Sequence, residues 1–325
     1  MKAFKYTVAD SESAAAKLLG EGSLALAGGT NLVNLLKERV VEPDVIVDIK
    51  RIPGLGGIER ADAGLRIGAN VTLAEILADP YIDASYPALS RALRDVGTPQ
   101  VRNRSTLGGN LTARPSCWYF AQEGFDCLKK GGSGCPAKEG ENDFHAIFAT
   151  DGPCVIVHAS SAAPALIALG ARVRISGPQG ARELPLEELF ALPSIDVRRE
   201  TILKPNEIVT HVTLGAPNRH SATYEVRQKA GHDWPVSLAS VALDMSFGVC
   251  RGARVVPGAV APIPWRAPKA EVALAGKPIT EEVAGYAADA AVEGAAPLAQ
   301  NGYKVAATRA AVKRAVLLAG TGKWN

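Results

Sequence analysis

The stretch from Ser23 to Ile49, SLALAGGTNLVNLLKERVVEPDVIVDI, decides how this chain is read. A short apolar run ends at Ala27, and Gly28 and Gly29 let the backbone turn sharply. An apolar-periodic segment then reaches Leu36, and Val45 to Ile49 alternates as a strand does. A strand, a diglycine bend and a helix start leave backbone N–H groups and a positive dipole end facing outward. Such a bend suits an anion such as pyrophosphate, although Gly-Gly before a helix is also an ordinary tight turn. The pattern is neither G-x-G-x-x-G nor a Walker motif, so it supports neither a Rossmann fold nor a P-loop.

Working outward, residues 1–60 read as helix, strand, glycine turn, helix, strand. GLRIGANVTLAEILAD repeats strand then helix, with Thr72 as N-cap and Glu75 as its capping-box partner. YPALSRALRDV is a short amphipathic helix, and SAAPALIALGARVRIS is helix then strand. From about Thr201, EIVTHVTL, SATYEVRQKAG and SVALDMSF read as successive strands of one antiparallel sheet. TEEVAGYAADAAVEGA and YKVAATRAAVKRAVLLAG are Ala-rich helices packed on it. The change of texture places a domain boundary near GAPNRH, residues 215–220.

A second diglycine occurs in Ser105-Thr106-Leu107-Gly108-Gly109-Asn110. It reads either as a surface turn or as a second cofactor loop, since Thr106 and Asn110 supply the donors and acceptors that a flavin or its ribityl chain needs.

The third feature runs from Cys117 to Cys154 and holds four of the five cysteines, spaced C-x9-C-x7-C-x18-C. Structural zinc favours close C-x2–4-C pairs, and bacterial ferredoxin clusters use C-x2-C-x2-C runs. This loop matches neither, so spacing alone points only to a metal. KKGGSG before Cys135 brings two cations and flexible glycines toward the sulfurs, which ranks an iron–sulfur cluster above zinc and zinc above free thiols. His145 is a spare ligand candidate, although a His beside Phe144 is more often a core or hydrogen-bonding residue. Cys250, in a strand-like setting, reads as a plain buried thiol.

Bulk properties narrow the class. The chain has 325 residues, 47% of them hydrophobic, enough for two or three subdomains. A net charge of +3 without a Lys/Arg block argues against a nucleic-acid surface. No stretch approaches the length of a membrane span, and MKAFKYTVADSESAAAKLL lacks the apolar core of a signal peptide. The expected compartment is therefore the cytoplasm, or the periplasm by co-export with a signal-bearing partner. No Ser/His/Asp triad and no paired carboxylates suggest acid–base catalysis by this chain, so no catalytic residue is assigned.

AGGTNL followed by VDI, then TLGGN, then YEVRQKAGHDWP in the strand-rich tail, resembles the flavoprotein (medium) subunits of molybdenum hydroxylases. These include the subunits of xanthine dehydrogenase, carbon monoxide dehydrogenase and 4-hydroxybenzoyl-CoA reductase. The resemblance covers essentially the whole chain. CWYF, CLKKGG, CPAK, FHAIF and GPC narrow it to the periplasmic aldehyde oxidoreductase type, in which this subunit carries a [4Fe-4S] cluster as well as FAD.

The resemblance implies an α+β fold. Residues 1–217 would form a vanillyl-alcohol-oxidase-type (PCMH-type) FAD-binding domain of two α+β subdomains, with the [4Fe-4S] loop at 115–156. Residues 218–325 would form an α+β domain of the CO dehydrogenase flavoprotein C-terminal type. It assigns Ala27, Gly28, Gly29, Thr30, Asn31 and Leu32 to the FAD pyrophosphate, and Thr106, Gly108, Gly109 and Asn110 to a second FAD loop. Lys229 falls where the family has a basic residue near the flavin. Ser161 stands where many members have an Asp that contacts the flavin side. Cys117, Cys127, Cys135 and Cys154 become the cluster ligands, with His145 the rival to Cys154.

The function implied is electron transfer. A large molybdopterin subunit would oxidise an aldehyde or aromatic compound, and a small subunit with two [2Fe-2S] centres would pass electrons to the FAD. A ferredoxin, quinone, oxygen or NAD would accept them. The alternatives are a stand-alone FAD oxidase with a structural zinc loop, and a non-catalytic scaffold subunit.

Overall fold

The structure, a computed structural model, describes residues 1–61 and 64–321. Its first unit contains β1 (Lys5–Val8), α1 (Glu12–Leu18), β2 (Ser23–Leu26), α2 (Leu32–Lys37) and β3 (Val45–Asp48). The strands form a parallel sheet in the order β1-β3-β2. Parallel pairing requires crossover connections, which α1 and α2 supply. Ile46 and Val47 of the central strand are buried, and Val47 packs with Ala15 and Leu19 of the α1 region. Strand β1 was not legible from sequence. KYTV is an edge strand with mostly exposed side chains, so it lacks an apolar alternation.

The second unit begins with β4 (Ile58–Ala61) and β5 (Gly64–Gly68). Helices α3 (Leu73–Ala78), α4 (Pro80–Ser85), α5 (Pro87–Arg94), α6 (Pro99–Arg102), α7 (Leu107–Leu111) and α8 (Trp118–Ala121) follow. After the cysteine loop come α9 (Ala162–Ala168), β6 (Arg172–Gly177), β7 (Gly180–Pro185) and β8 (Ile208–Leu214). The predicted capping box of α3 is present: Thr72 Oγ1 accepts from Glu75 N, and Glu75 Oε2 accepts from Thr72 N at 2.7 Å. Five strands form an antiparallel sheet in the order β4-β5-β8-β6-β7. Leu73, Ile76, Leu89, Leu93, Leu107 and Leu166 pack on this sheet in the main core.

This sheet corrects one expectation. EIVTHVTL is a strand, but it pairs with β5 and β6 rather than with the strands that follow it. Its alternation identified a strand and carried no information about its neighbours.

The third unit is the antiparallel sheet β11-β10-β9, from β9 (Ser221–Val226), β10 (Ser237–Ser246) and β11 (Val249–Gly258). It is covered by α10 (Pro268–Leu274), α11 (Glu281–Ala291) and α12 (Tyr303–Thr321). Ala287, Ala288 and Ala291 meet Ala311, Ala315 and Ala319 in one core, where small side chains let helices and sheet approach closely. Cys250 is fully buried here, as expected. The opposite side of the sheet receives α5 and α9. Thr223 Oγ1 donates to Ala88 O at 2.9 Å, and a Cβ on Gly258 would lie 2.7 Å from Pro164 Cγ. The third unit thereby packs on α5 and on α9, whose N-cap is Ser161.

Candidate functional site: a dinucleotide cleft and a cysteine loop

The two diglycine segments meet. A Cβ on Gly28 would fall 1.8 Å from Arg104 O, so only glycine lets the first loop lie against the second. Gly29 has φ +79°, a conformation side-chain-bearing residues rarely adopt. Thr30 Oγ1 and Ser105 Oγ share a hydrogen bond of 2.8 Å. The amide N–H groups of Gly28, Gly29, Thr30 and Asn31 have no hydrogen-bond partner among the described residues.

The second diglycine corrects the reading of that segment as a loop. It lies in α7, capped by Thr106, whose Oγ1 accepts from Gly109 N at 3.2 Å. Gly108 is required by proximity, since its Cβ would stand 2.9 Å from the Ala69 Cβ.

Together these segments line a cleft of about 260 Å³. Ala27, Gly28, Gly29, Thr30, Asn31, Leu32, Thr106, Gly108 and Gly109 all face it. So do Asn70, Thr112 and Arg114, which sequence reading missed because single polar residues beside a strand end or helix end carry no distinguishing pattern. Asn70 donates from Nδ2 to Ile49 O at 2.8 Å, while its Oδ1 is buried with no partner among the described residues. An unpaired buried oxygen, free amides and a cradle closed to any Cβ fit a bound dinucleotide.

Asn110 lies just beyond this cleft. Its Oδ1 accepts from Ser160 Oγ at 2.6 Å, and Ser160 lines a second cavity of about 200 Å³. Cys117, Trp118, His145, His158, Ser161 and Trp234 share that cavity. His158 is buried against Phe190, with ring centroids 4.6 Å apart, and burial pulls it down to about 4. Ser161 starts α9 without making a capping bond. Burial raises the carboxyl of Glu225, whose Oε2 pairs with Arg227. Lys229 lies beyond the end of β9 rather than in a strand. It is exposed and lines a third cavity with Arg91, Asp95 and Arg227.

All four loop cysteines are free thiols, Cys127 and Cys154 buried and Cys117 and Cys135 partly so. They form one connected patch. Cys117 packs with Cys127 beside Phe120, and with Cys135 beside Tyr119 and Val155. Cys135 and Cys154 share a hydrogen bond that lowers the Cys135 thiol and raises the Cys154 thiol. Burial pushes Cys117 up to about 11, and its Sγ lies 3.3 Å from His145 Nε2. As folded here, no group of three or more His, Cys, Asp or Glu side chains among the described residues is disposed to hold a metal ion. Four cysteine thiols, none in a disulfide and linked contact by contact, supply the kind of sulfur donor that a thiolate-bound cluster takes.

The loop is fastened on both sides. Lys129 is fully enclosed, with Nζ 2.7 Å from Glu200 Oε1, and Arg114 Nε lies 2.7 Å from Glu200 Oε2. The Lys129 charge expected to face the sulfurs is thus balanced chiefly by a carboxylate. On the other side, Lys304 Nζ of α12 donates to the carbonyls of Phe144, His145 and Ala259 at 3.0, 2.9 and 2.7 Å.

A parallel-sheet unit and an antiparallel-sheet unit meet at the cleft between the glycine segments. Residues 2–217 match the family described as the FAD binding domain in molybdopterin dehydrogenase, and residues 222–319 match the CO dehydrogenase flavoprotein C-terminal domain. The chain therefore belongs to the FAD-binding medium subunits of molybdenum hydroxylases, a family of oxidoreductase subunits. It is 34% identical to the aldehyde oxidoreductase FAD-binding subunit PaoB of Escherichia coli strain K12, over 94% of each chain. It is 28% identical to the carbon monoxide dehydrogenase medium chain of Hydrogenophaga pseudoflava, over 96% of each. Among solved structures, quinoline 2-oxidoreductase from Pseudomonas putida 86 superposes with a TM-score of 0.78 at 25% identity, covering 99% of each chain. No helix among the described residues is long and apolar enough to cross a membrane.

Proposed function

We propose that this chain is the FAD- and [4Fe-4S]-containing electron-transfer subunit of a molybdenum hydroxylase complex acting on an aldehyde or aromatic compound. The observation that carries the reading is shared walls. Cys117 and His145 line the same cavity as Ser160, and Ser160 is tied to Asn110 of the second glycine segment. Cys117, a candidate cluster ligand, and Ser160, tied to the second glycine segment, border one space, which supports this reading.

The free amides of Gly28, Gly29, Thr30 and Asn31 receive the pyrophosphate, and Asn70 Oδ1 accepts from a hydroxyl of the dinucleotide. Asn110 and Ser160 fix the passage between the two cavities. Trp118, His158 and Trp234 supply the apolar walls that hold the ring system and exclude water. Ser161 offers a polar contact at its edge; Lys229 is assigned to the same flavin surroundings on the family resemblance alone. Cys117, Cys127, Cys135 and Cys154 hold the cluster. Bound FAD supplies the two-electron to one-electron exchange that lets a chain of single-electron centres serve a two-electron oxidation.

The partners are a large molybdopterin-binding subunit and a small subunit with two [2Fe-2S] centres. The final acceptor is a ferredoxin, quinone, oxygen or NAD. Purification from native cells tests the assembly: both companion chains should co-elute in fixed proportion. A flavoprotein that elutes alone and reduces oxygen by itself would overturn it.

A further inference from the structure

Free amides are neutral donors, and they do not by themselves neutralise the two negative charges of a pyrophosphate. Among the described residues lining the dinucleotide cleft, Arg114 is the one cation and Glu207 the one acid. Glu207 is already engaged, since Arg182 Nη2 donates to its Oε2 at 2.9 Å. Charge compensation from within the cleft therefore falls to Arg114.

Arg114 is fixed in place while part of its guanidinium stays unengaged. Its backbone N donates to Asn31 Oδ1 at 3.1 Å, and Asn31 Nδ2 donates to its carbonyl at 3.4 Å. Its guanidinium lies over the Phe120 ring, 4.7 Å from the centroid, and Nη2 donates to Arg198 O at 3.0 Å. Nη1 has no hydrogen-bond partner among the described residues. Glu200 Oε2 lies 2.7 Å from Nε, an ion pair whose N–H is not aligned for a hydrogen bond. The same carboxylate stands 2.7 Å from Lys129 Nζ, and both of those side chains are almost wholly buried. Two cations thus share one carboxylate. An excess of positive charge in such a place is costly unless an anion joins it.

We infer that Arg114 is the charged partner of the dinucleotide's pyrophosphate, and that its engagement there leaves Glu200 to Lys129 and so tightens the cysteine loop. This role rests on the FAD reading above and asks nothing of a metal. Lys129 sits in the turn Leu128–Lys130, and its Nζ also donates to Val197 O at 2.9 Å. Dinucleotide and loop thereby stabilise one another, and the coupling is reciprocal because both draw on one carboxylate.

The test uses the full chain freed of flavin, with FAD and ADP as probes, since ADP carries the pyrophosphate without the flavin. Arg114→Gln should weaken both roughly ten- to a hundredfold. Arg114→Lys, which keeps the charge without the planar fork, should recover part of the ADP affinity. Added salt should weaken ADP binding to wild type more steeply than to Arg114→Gln. A residue that only braces the fold would give no recovery with Lys and no change in salt response, and that result would overturn the assignment.

Hydrogen exchange on wild type alone checks the link to the loop. The backbone N–H groups of Leu128, Lys130, Gly131 and Gly132 are each hydrogen-bonded within the loop. One preparation is measured with and without ADP, so that anything bound to the loop is common to both arms. These amides should exchange roughly tenfold more slowly with ADP, and the slowing should vanish in Arg114→Gln at saturating ADP. Unchanged exchange in wild type would overturn the link to the loop. Equal ADP affinity in wild type and Arg114→Gln would overturn the role of Arg114 while leaving the FAD reading intact. A wild-type chain that binds neither FAD nor ADP would remove the FAD reading, and this role with it.

Discussion

Asn31 and Arg114 bind each other twice: Arg114 N donates to Asn31 Oδ1 at 3.1 Å, and Asn31 Nδ2 donates to Arg114 O at 3.4 Å. This reciprocal pair ties the first glycine segment to the strand of chain entering the cysteine loop. Arg114 then reaches Glu200, and Glu200 reaches Lys129 between Cys127 and Cys135. Asn31→Ala should cost about 1–2 kcal/mol of stability. It should also weaken FAD binding by roughly tenfold, as one loop loses its brace. Fluorescence titration of the apoprotein with FAD measures this.

The contact of Gly28 with Arg104 O leaves no room for a methyl group. Gly28→Ala must push the two glycine segments apart, at a cost of about 3 kcal/mol or more. FAD content should fall far below stoichiometric, while Gly20→Ala, whose Cβ would meet nothing within 4 Å, should retain it. Flavin released on denaturation, counted per chain, checks both.

Removing Lys129 leaves the buried Glu200 carboxylate paired, among the described residues, with Arg114 alone. Lys129→Met should destabilise the fold by about 3 kcal/mol, and adding Glu200→Gln should recover part of that loss. Urea midpoints of the single and double variants decide whether the two effects are coupled, as the 2.7 Å contact requires.

His158 contributes to the acid sensitivity of the second cavity. Its folded value lies near 4 against an unfolded 6.5, so between these the unfolded chain binds the additional proton. Its contribution is fully present above about pH 6.5 and is lost as pH falls toward 4, by at most about 1.4 kcal/mol per pH unit. His158→Gln should flatten that limb of the stability profile relative to wild type. Parallel slopes from pH 7 to pH 4 would show that His158 has no part in it.

Local signals were legible and long-range ones were not. Gly28-Gly29, the Thr72–Glu75 box and the Ala-rich α11 and α12 follow from patterns within a few residues, and all lie where those patterns put them. The pairing of β8 with β5 and β6 depends on partners more than 30 residues away, so alternation alone could not assign it. Nothing in the Ala-rich pattern around Lys304 distinguishes it, yet it is fully buried because three carbonyls from two other segments converge on it. Lys129 was legible as a cation beside cysteines, but not as a partner of Glu200, which is 71 residues further along the chain.

The central claim is that the cysteine loop cages iron beside a flavin. Anaerobically purified protein should contain about one FAD and about four irons per chain, with a broad iron–sulfur absorption beneath the flavin bands. Cys135→Ser should abolish or alter that absorption and leave the flavin bands. A yellow, iron-free protein whose spectrum is indifferent to Cys135→Ser would contradict the account.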